Sequence, residues 1–484
     1  MNYPNKRFPH RKKSEAGSRT PRREHPSDVD ASMSPESTAS PVSGRRDLRQ
    51  RSLSVSESDE TPVVIVKSPS RQPLYYRKRI ATTPRGVQPG DLVAVRLQNG
   101  THLGYGITNP RAELALRMIT TADLPPGEPE WSAWLQQAVD LRTKILQLDD
   151  HTNAYRVIHA EGDRLSGLVV DRYGDILSAE AFSIGMYQRA EAILNQLGTL
   201  CGTKHWVLRC APFSADQEGF WCETVSSPGC PDEVVIQESG TKFLVRFREG
   251  HKTGFFCDQR DHRLAVSQIC RGKSVLDLCC YTGGFSIQAA VLGQASEVTG
   301  VDLDEEALVI ARRNAQLNQA RVVRFVQADA FAYMRDMQRN GKTYDVVVLD
   351  PPKLIRHRGE MEEGTRMHFD LNRLAMSLVK PGGVILTCTC SGLLSEEAFH
   401  RLVLAAARYS PNLKPSTIQP EAPVDDAAFS QDESDDVENE TREHRYVPPR
   451  PIQILRKSGA ASDHPIAAET PESDYLKALL LRLG

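Results

Sequence analysis

Beyond Gln259, short apolar runs typical of buried strands alternate strictly with stretches that repeat at a helical spacing. Strands that alternate with helices indicate a parallel sheet with helices on both faces. The pattern therefore predicts an α/β fold of the doubly wound, Rossmann-like kind for residues 259–484. The predicted strands are Ser274 to Leu278, Glu297 to Val301, Val322 to Gln327, Asp345 to Leu349 and Val384 to Cys388, with two closing strands at 451–457 and 475–483.

Two helices of this region have recognisable start signals. Asp304 precedes a stretch from Glu305 to Leu317, and Ser395 precedes a stretch from Glu396 to Tyr409. Asp and Ser are favoured N-cap residues because their side-chain oxygens accept hydrogen bonds from the first free backbone N–H groups. We therefore expect both helices to begin at these positions.

The region before residue 130 has a different pattern, in which β-branched runs are separated by turn residues. Runs from Pro62 to Val66, Asp91 to Leu97 and His102 to Ile107 predict strands, and Asn99-Gly100 predicts a hairpin because both residues tolerate positive φ. We expect a small β-rich domain over residues 63–130. The segment from Tyr75 to Arg79 puts aromatic rings beside cations, which suits RNA contact but is equally common on ordinary surfaces.

Residues 131–258 combine a helical stretch, Trp131 to Leu148, with strand-like runs such as Tyr155 to His159 and Phe243 to Phe247. This mixture predicts a central α+β domain. The pattern by itself indicates no function for it.

Composition separates two segments from these domains. Residues 1–62 contain hardly any apolar residue, so they cannot offset the entropy of ordering and are predicted to form a disordered basic tail. Residues 411–449 are rich in proline and acidic residues and are predicted to be a disordered insertion. Acidic and basic segments offset each other, so the net charge of -2 does not argue against a nucleic-acid partner.

Bulk composition excludes several classes of protein. The hydrophobic content is 40%, but no apolar run reaches the roughly 18 residues that would span a membrane. The start, Met1 to Arg7, is polar and lacks the apolar core of a secretory signal, so we expect a cytoplasmic protein. The ten cysteines should then stay reduced, and their spacing favours no metal site.

The turn after the first strand of the α/β domain is rich in glycine. Glycines there let the backbone pass close to a ligand, in the crevice where doubly wound sheets bind nucleotides. The turn differs from the dinucleotide fingerprint, and no phosphate-holding Lys-Ser/Thr pair follows it. S-adenosylmethionine, which has an amino-acid moiety and no pyrophosphate, fits better. The turn residues expected at this cofactor are Asp277, Tyr281, Thr282, Gly283, Gly284 and Phe285.

Acidic residues also follow the next two strands. Asp302, with Leu303 beside it, could accept from both ribose hydroxyls, and Asp329, with Ala330 beside it, could accept from the adenine amino group. Each aspartate alone is more often a helix N-cap. Their occurrence at successive strand ends favours an adenosyl pocket.

The fourth and fifth strands end in residues suited to catalysis. In Asp350-Pro351-Pro352 each proline ring fixes φ, so the turn holds a carboxylate rigidly at the sheet edge, although a rigid turn without a ligand is the alternative. Cys390 should protrude beyond its strand at the same edge, whereas Cys388 is expected to be a small buried residue.

A thiol beside a methyl-donor site indicates methylation at carbon 5 of cytosine. That carbon is a poor nucleophile until a thiolate adds to carbon 6 and forms an enamine. We therefore expect Cys390 to be the nucleophile. We expect Asp350 to contact ring nitrogen 3 and stabilise the charge that develops there.

A set of short segments from Val63 to the C-terminus forms a recognisable combination. The segments are Pro89-Gly90-Asp91, Gly104-Tyr105-Gly106, His159 to Asp163, Gly167 to Gly174, Arg248 to Arg260, Tyr281 to Phe285, Asp350 to Lys353, Asp370-Leu371-Asn372, Cys390-Ser391-Gly392, Asp463-His464-Pro465 and Tyr475-Leu476-Lys477. In this combination the chain resembles the bacterial 23S ribosomal RNA 5-methylcytosine methyltransferase family, which has a PUA domain and a class I S-adenosylmethionine-dependent methyltransferase domain.

The resemblance implies a PUA domain, a central α+β domain and a Rossmann-like catalytic domain, with large-subunit ribosomal RNA as partner and neither a membrane nor a metal. It implies that Cys390 is the nucleophile and that Gln259 belongs to the cofactor site. It also implies that the pocket is lined by Asp277, Asp302, Asp329 and Asp350. Cys279 stands where the family commonly has an aromatic residue, and the tail and insertion are extra.

Two other functions stay open at this point. Asp350-Pro351-Pro352 would also serve methylation of an exocyclic nitrogen of guanine or adenine, without a nucleophile. A non-catalytic RNA-binding assembly factor that only binds the cofactor is the third possibility. The sequence leaves open the modified nucleotide, the choice between naked RNA and a ribosomal subunit, and a homodimer.

Overall fold

The structure is a computed structural model that describes residues 48–53, 61–247, 253–408 and 450–484. The predicted acidic insertion, most of the predicted basic tail and residues 248–252 lie outside the described residues. Residues 48–53 differ from the prediction of a disordered tail, because Leu53 is buried in a core and the Arg51 guanidinium pairs with Asp91 at 2.6 Å.

The first sheet is built from strands before residue 121. The described strands are β1 (Val63–Val66), β2 (Leu74–Tyr76), β3 (Ile80–Thr82), β4 (Asp91–Leu97), β5 (His102–Thr108) and β6 (Leu114–Thr120), in the order β2-β6-β5-β4-β1-β3. The predicted hairpin joins β4 to β5, where the Leu97 N–H donates to the Thr101 carbonyl at 2.9 Å and Gly100 has a φ of 87°. Val64, Val95 and Leu116 pack inside this sheet.

The central part combines helices with a second sheet, as the sequence predicts. Its elements are α1 (Glu128–Asp140), β7 (Ala154–His159), β8 (Leu168–Tyr173), β9 (Ile176–Ala181), α2 (Ile184–Tyr187), α3 (Ala190–Cys201), β10 (His205–Cys210), α4 (Ser214–Gln217) and β11 (Val225–Ser226). The strand order is β11-β10-β9-β8-β7. A separate hairpin, β12 (Glu233–Glu238) and β13 (Thr241–Arg246), follows.

Helix α1 starts three residues before the predicted position and ends earlier. The Glu130 side chain accepts from the Gly127 N–H at 2.8 Å, which satisfies a free donor at the helix start. After Asp140 the chain continues as a π-helical turn, Leu141–Ile145. This turn contains Arg142, which is buried and makes a two-point ion pair with Asp163.

The C-terminal part is the doubly wound domain that the sequence predicts. Its elements are α5 (Arg260–Ser267), β14 (Ser274–Leu278), α6 (Gly284–Val291), β15 (Glu297–Asp302), α7 (Glu305–Leu317), β16 (Val323–Gln327), α8 (Ala330–Arg339), β17 (Tyr344–Leu349), α9 (Met361–Ser377), β18 (Val379–Thr389), α10 (Glu396–Arg408), β19 (Ile452–Ser458) and β20 (Lys477–Leu483). The order is β16-β15-β14-β17-β18-β20-β19, in which the neighbours from β16 to β18 run parallel and β20 and β19 are antiparallel.

Most predicted elements of this domain agree within a residue or two. The N-cap of α7 is Asp304, whose side chain accepts from the backbone N–H groups of Glu306 and Ala307. Strand β18 begins five residues before the predicted start, because Pro381-Gly382-Gly383 forms an irregular register against β17 instead of ending the strand. Among the described residues, no helix is long and apolar enough to cross a membrane.

A buried carboxylate, Asp463, joins the central part to the doubly wound domain. Asp463 is fully buried and accepts from both terminal nitrogens of Arg260, at 2.8 and 3.0 Å, and from the Arg156 N–H at 2.8 Å. A Cβ atom at Gly162 would lie 2.1 Å from the Pro465 carbonyl, so the two chain segments pass in direct contact. The segment from His159 to Asp163 and Asp463-His464-Pro465 therefore meet at this joint.

Candidate active site

The carboxyl ends of the parallel strands meet at one edge of the sheet. The strand order reverses between β14 and β17, and doubly wound sheets bind ligands in the crevice that such a reversal opens. Asp277 lies near the end of β14 and Asp302 ends β15. The segments that follow β14, β16, β17 and β18 contain Tyr281 to Phe285, Asp329, Asp350 and Cys390 respectively. Backbone topology thus gathers the predicted site residues at this edge.

The turn after β14 has an unusual backbone. Cys279 and Tyr281 have φ angles of 61° and 49°, a left-handed conformation that non-glycine residues rarely adopt, and Gly283 follows with φ 81°. Such strained residues cluster at ligand sites because the surrounding structure holds them there. A Cβ atom at Gly283 would lie 2.9 Å from the ring of Phe325, so only glycine fits here.

Asp277 is a buried carboxyl group under this turn. Its Oδ2 accepts from the N–H and the hydroxyl of Ser286, at 2.9 and 2.6 Å, and its Oδ1 is buried with no hydrogen-bond partner among the described residues. Burial, with a smaller contribution from the charges of Asp350 and Asp302, raises the pKa of Asp277 to about 7, although the hydrogen bonds from Ser286 lower it. A buried, partly unsatisfied carboxyl group fits a ligand that brings a positive charge, such as the ammonium of an amino acid.

The carboxylates after the next two strands bind backbone N–H groups. Asp302 accepts from the Tyr281 N–H at 2.8 Å and from the Asp304 N–H at 2.9 Å, so it shapes the turn as well as facing the crevice. Asp329 is exposed and caps helix α8 by accepting from Ala332 at 2.9 Å. The ordinary N-cap role is therefore present at Asp329. Roles toward ribose and adenine remain predictions for both residues.

The remaining predicted cofactor residues differ in their exposure. The side chains of Thr282 and Phe285 are buried, and Phe285 packs in the hydrophobic core, which gives it a packing role. Tyr281 lies edge-to-face against Phe256, with ring centroids 5.0 Å apart. Leu303 is 66% exposed and Ala330 is half-buried.

Gln259 and Asp350 are in direct contact. The Gln259 amide nitrogen donates to Asp350 Oδ2 at 2.8 Å, and the Asp350 N–H donates to the Leu278 carbonyl at 3.4 Å. Gln259 lies on a short 3-10 turn, Cys257–Gln259, just before α5, and its side chain is buried. Gln259, predicted for the cofactor, is thus bonded to the predicted catalytic carboxylate.

Cys390 follows β18 and is half-buried, whereas Cys388 is fully buried, as expected. Lys477 pairs in register with Thr389 and is a buried cation within electrostatic range of the Cys390 thiol. Burial lowers the pKa of Lys477. A cation close to a thiol favours its ionised, nucleophilic form.

The loops that carry Asp350 and Cys390 are tied together. The Ser391 hydroxyl accepts from the Ile355 N–H at 3.2 Å, and Thr389 Oγ1 lies 3.1 Å from His368 Nε2. His368 is buried on α9, and burial lowers its pKa to about 4, so its ring is neutral near pH 7. These bonds hold the two loops at a fixed separation.

Several residues that shape the site have no signal in the sequence. Ser286 bonds Asp277, and Asn314 on α7 donates to the Thr282 carbonyl at 2.9 Å. Cys279 lies close to the carboxylates, and burial and the charge of Asp302 raise its thiol pKa, so it stays protonated. Only proximity to the glycine turn could have pointed to Ser286. The others depend on tertiary contacts.

Comparisons with known proteins identify the family to which the chain belongs. Residues 198–428 match a family described as S-adenosylmethionine-dependent methyltransferase, and residues 68–121 match a PUA-like domain. The ribosomal RNA large subunit methyltransferase I of Aeromonas hydrophila is 34% identical over 427 residues, covering 85% of this chain and 95% of that protein. The chain belongs to this methyltransferase I family.

Another relative and a solved structure support the same family and fold. The enzyme of the same name from Escherichia coli is 32% identical and covers 85% of this chain and 96% of that protein. A solved methyltransferase complexed with SAH shares the fold, with a TM-score of 0.66 and 20% identity, over 87% of this chain and all of that one. The cofactor of the present chain is therefore S-adenosylmethionine. The PUA-like and Rossmann-like folds predicted from its sequence are confirmed.

Proposed function

We propose that this methyltransferase forms 5-methylcytosine in 23S ribosomal RNA through a covalent bond between Cys390 and the base. The observation that carries the proposal is the position of the thiol. Cys390 follows β18, next to β17 with Asp350, at the sheet edge of the cofactor turn. The relatives are ribosomal RNA large subunit methyltransferases, which supports large-subunit ribosomal RNA as the substrate class.

The cofactor supplies a methyl group bound to a sulfonium. We propose that Asp277 holds its ammonium, since the buried Oδ1 needs a positive partner, and that Asp302 and Asp329 hold the ribose and the adenine. The turn from Tyr281 to Gly284 would let the backbone approach the ligand closely, with Leu303 and Ala330 beside the adenosyl group. The glycine at position 283 keeps that turn open against Phe325.

The reaction begins when the Cys390 thiolate adds to carbon 6 of the cytosine. The electron pair of the carbon 5–carbon 6 double bond moves to carbon 5 and is shared with nitrogen 3, where Asp350 supports a bound proton. Carbon 5 then takes the methyl group, and the electron pair of the broken sulfur–carbon bond stays on the cofactor sulfur. A base accepts the carbon 5 proton, which re-forms the carbon 5–carbon 6 double bond as the carbon 6–Sγ bond breaks and the thiolate leaves. Nitrogen 3 then gives up its proton.

The domains divide this task. We propose that residues 63–130 form the PUA domain that binds RNA, that residues 131–258 form the central domain, and that residues 259–484 perform the transfer. In the first of these, Tyr76, Arg77 and Lys78 form an exposed cluster of a ring and two cations. Such clusters stack on bases and contact phosphates.

The thiol mechanism is tested with a large-subunit ribosomal RNA transcript that contains 5-fluorocytidine. Fluorine cannot leave carbon 5 as a cation, so we expect the wild-type protein with S-adenosylmethionine to stay covalently bound to the RNA on a denaturing gel. Cys390→Ser should form no such complex and should lose roughly 10³-fold or more in kcat, because the nucleophile is gone.

The matched control is Cys388→Ala, two residues earlier and fully buried, which should still form the complex. Full activity of Cys390→Ser would remove the thiol mechanism and favour methylation of an exocyclic nitrogen. Binding of cofactor and RNA with no methyl transfer would favour an assembly factor.

A further inference from the structure

A chain of three hydrogen bonds, of which the middle one is buried and the outer two are part-buried, runs from the edge of the sheet to Asp350. Ser458, the last residue of β19, lies 2.8 Å from Nε2 of His262. The Nδ1 atom of His262 lies 2.5 Å from the Gln259 amide oxygen, and the Gln259 amide nitrogen lies 2.8 Å from Asp350 Oδ2. His262 is 2% exposed and Gln259 is 4% exposed, so water does not compete with the bond between them.

The directions of these bonds are determined by which groups can donate. The amide nitrogen of Gln259 can only donate, so Asp350 Oδ2 is the acceptor in this bond, and the amide oxygen faces His262. The oxygen accepts, so Nδ1 of His262 must bear the ring proton. The other ring nitrogen, Nε2, is then an acceptor, and the Ser458 hydroxyl donates a hydrogen bond to it.

Groups packed around His262 favour this arrangement. Burial lowers the pKa of His262 to about 4, and the positive charges of Arg456 and Arg263 act in the same direction against the opposing charge of Asp258. The ring is therefore neutral near pH 7, with one proton to place. If Gln259 turned its amide over, its oxygen would face an Asp350 oxygen, which is a repulsive contact, and the His262 ring would have to bear its proton on Nε2 instead of Nδ1.

We propose that His262, through Gln259, holds Asp350 as a hydrogen-bond acceptor and so makes the site select cytosine over uracil. This inference rests on the proposed function. With the proton on nitrogen 3 that the proposed mechanism needs, cytosine presents two adjacent donors, N3–H and the 4-amino group. Uracil presents N3–H beside a carbonyl oxygen at position 4. A carboxylate held as an acceptor therefore pairs with both donors of cytosine, whereas the carbonyl of uracil repels it.

The strength of the selection for cytosine over uracil depends on the cost of leaving buried polar groups unpaired. Sites built around a hydrogen bond to the substrate reject an analogue that cannot make it far more strongly than apolar pockets do. His262 acts through Gln259, so it is a positioning residue. A change at His262 should therefore act on base choice more than on cofactor binding.

Two substitutions of His262 separate the roles of its two nitrogens. The amide nitrogen of asparagine reaches about as far as Nδ1, so His262→Asn keeps a donor for Gln259. The longer His262→Gln reaches toward Ser458 and leaves Gln259 free to turn over. Each full-length variant is given a ribosomal RNA transcript that the wild type methylates, and the same transcript with uridine at the modified position.

The measured quantity is the ratio of kcat/KM for the cytidine and uridine transcripts. We expect His262→Gln to lower this ratio at least about 10-fold, a loss of about 1.4 kcal/mol of discrimination, and His262→Asn to keep it within about 3-fold. General damage to the fold would lower both kcat/KM values together and leave the ratio unchanged. Affinity for S-adenosylhomocysteine should stay near that of the wild type in both variants.

Wild-type discrimination in His262→Gln would overturn the inference, as would an equal loss in both variants. If His262→Gln does not fold, Gln259→Met gives the same test of the cytidine-to-uridine ratio, since a thioether cannot donate a hydrogen bond to Asp350. Failure of the wild type to form the fluorocytidine complex would instead contradict the proposed function, so the two failures are distinguishable.

Discussion

The carboxyl group of Asp277 should make cofactor binding depend on pH. Burial raises the pKa of Asp277 to about 7, and only the ionised carboxylate would attract the positive charge of a bound ammonium. Between pH 8 and pH 6 the ionised fraction falls about tenfold, because each unit below the pKa is a factor of ten. We expect the Kd for S-adenosylhomocysteine, measured by calorimetry, to rise by about that factor over this range.

Asp277→Asn is the control for this pH dependence, since an amide does not titrate in this range. It should bind the ligand weakly at pH 8 and show little change at pH 6. The same group affects stability in the opposite sense. The folded state keeps a proton that the unfolded state has lost between about pH 4 and pH 7, so this group's contribution to stability decreases as pH rises through that window.

Single residues show how far local rules reach. The N-cap at Asp304 could be predicted, because capping depends only on neighbours in sequence. The positive φ angles at Cys279 and Tyr281 could not, since the preference of this conformation for glycine predicts it at Gly283, four and two residues later. The bond between Gln259 and Asp350 joins residues 91 positions apart, which no local pattern reports.

At the scale of elements, helix α7 connects the cofactor turn to the hairpin β12–β13. Asn314 is fully buried; its amide nitrogen donates to the Thr282 carbonyl at 2.9 Å, and its oxygen accepts from the Leu244 N–H at 2.8 Å. One side chain thus satisfies a backbone group on each side of the helix. The turn depends on the hairpin through this residue.

Asn314→Ala should lower the free energy of unfolding by roughly 1–3 kcal/mol, because it leaves two buried polar groups without partners. It should also weaken cofactor binding, since the carbonyl at Thr282 loses its donor. Urea denaturation and calorimetry measure the two effects. Asn318, one turn later, makes similar bonds to Lys242 at a more exposed position, so Asn318→Ala should cost less and leave cofactor affinity unchanged.

Strand prediction was accurate where a strand is buried on both faces, as in β14 and β17, because the apolar run has the length of the strand. It was less accurate at β18, where Pro381-Gly382-Gly383 reads as a turn but continues the strand. Gly382 adopts a φ of 76° there, so the irregularity is a tertiary adjustment between β17 and β18.

At the scale of the whole molecule, Asp463 should be one of the most sensitive positions for stability. It is fully buried and bonded to Arg260 at two points. Removing one partner of a buried ion pair leaves an uncompensated charge, so Asp463→Ala should lower the free energy of unfolding by roughly 3–5 kcal/mol. Denaturant titration measures this loss.

The control is the surface pair of Lys204 and Asp175, whose side chains are 72% and 52% exposed. Asp175→Ala should cost less than about 1 kcal/mol, because water screens such pairs. A similar loss in both variants would mean that the joint at Asp463 does not hold the domains together.

That a PUA-like part precedes a methyltransferase part was readable from the sequence, because the two parts differ in their spacing of strands and helices. The joint between the central part and the doubly wound domain was not, since Asp463 lies in an irregular stretch between β19 and β20 and contacts Arg156, 307 positions earlier. Buried charge pairs of this kind have no periodic signal. They are visible only when distant segments have been brought together.

The position of β20 between β18 and β19 has a consequence during synthesis. A ribosome delivers this strand after every other described element, yet the strand belongs to the interior of its sheet. Until it emerges, the side of β18 that pairs with β20 has free backbone hydrogen-bonding groups. Nascent chains should therefore depend on chaperones until that late strand arrives, and shortened translation products should be removed by proteases.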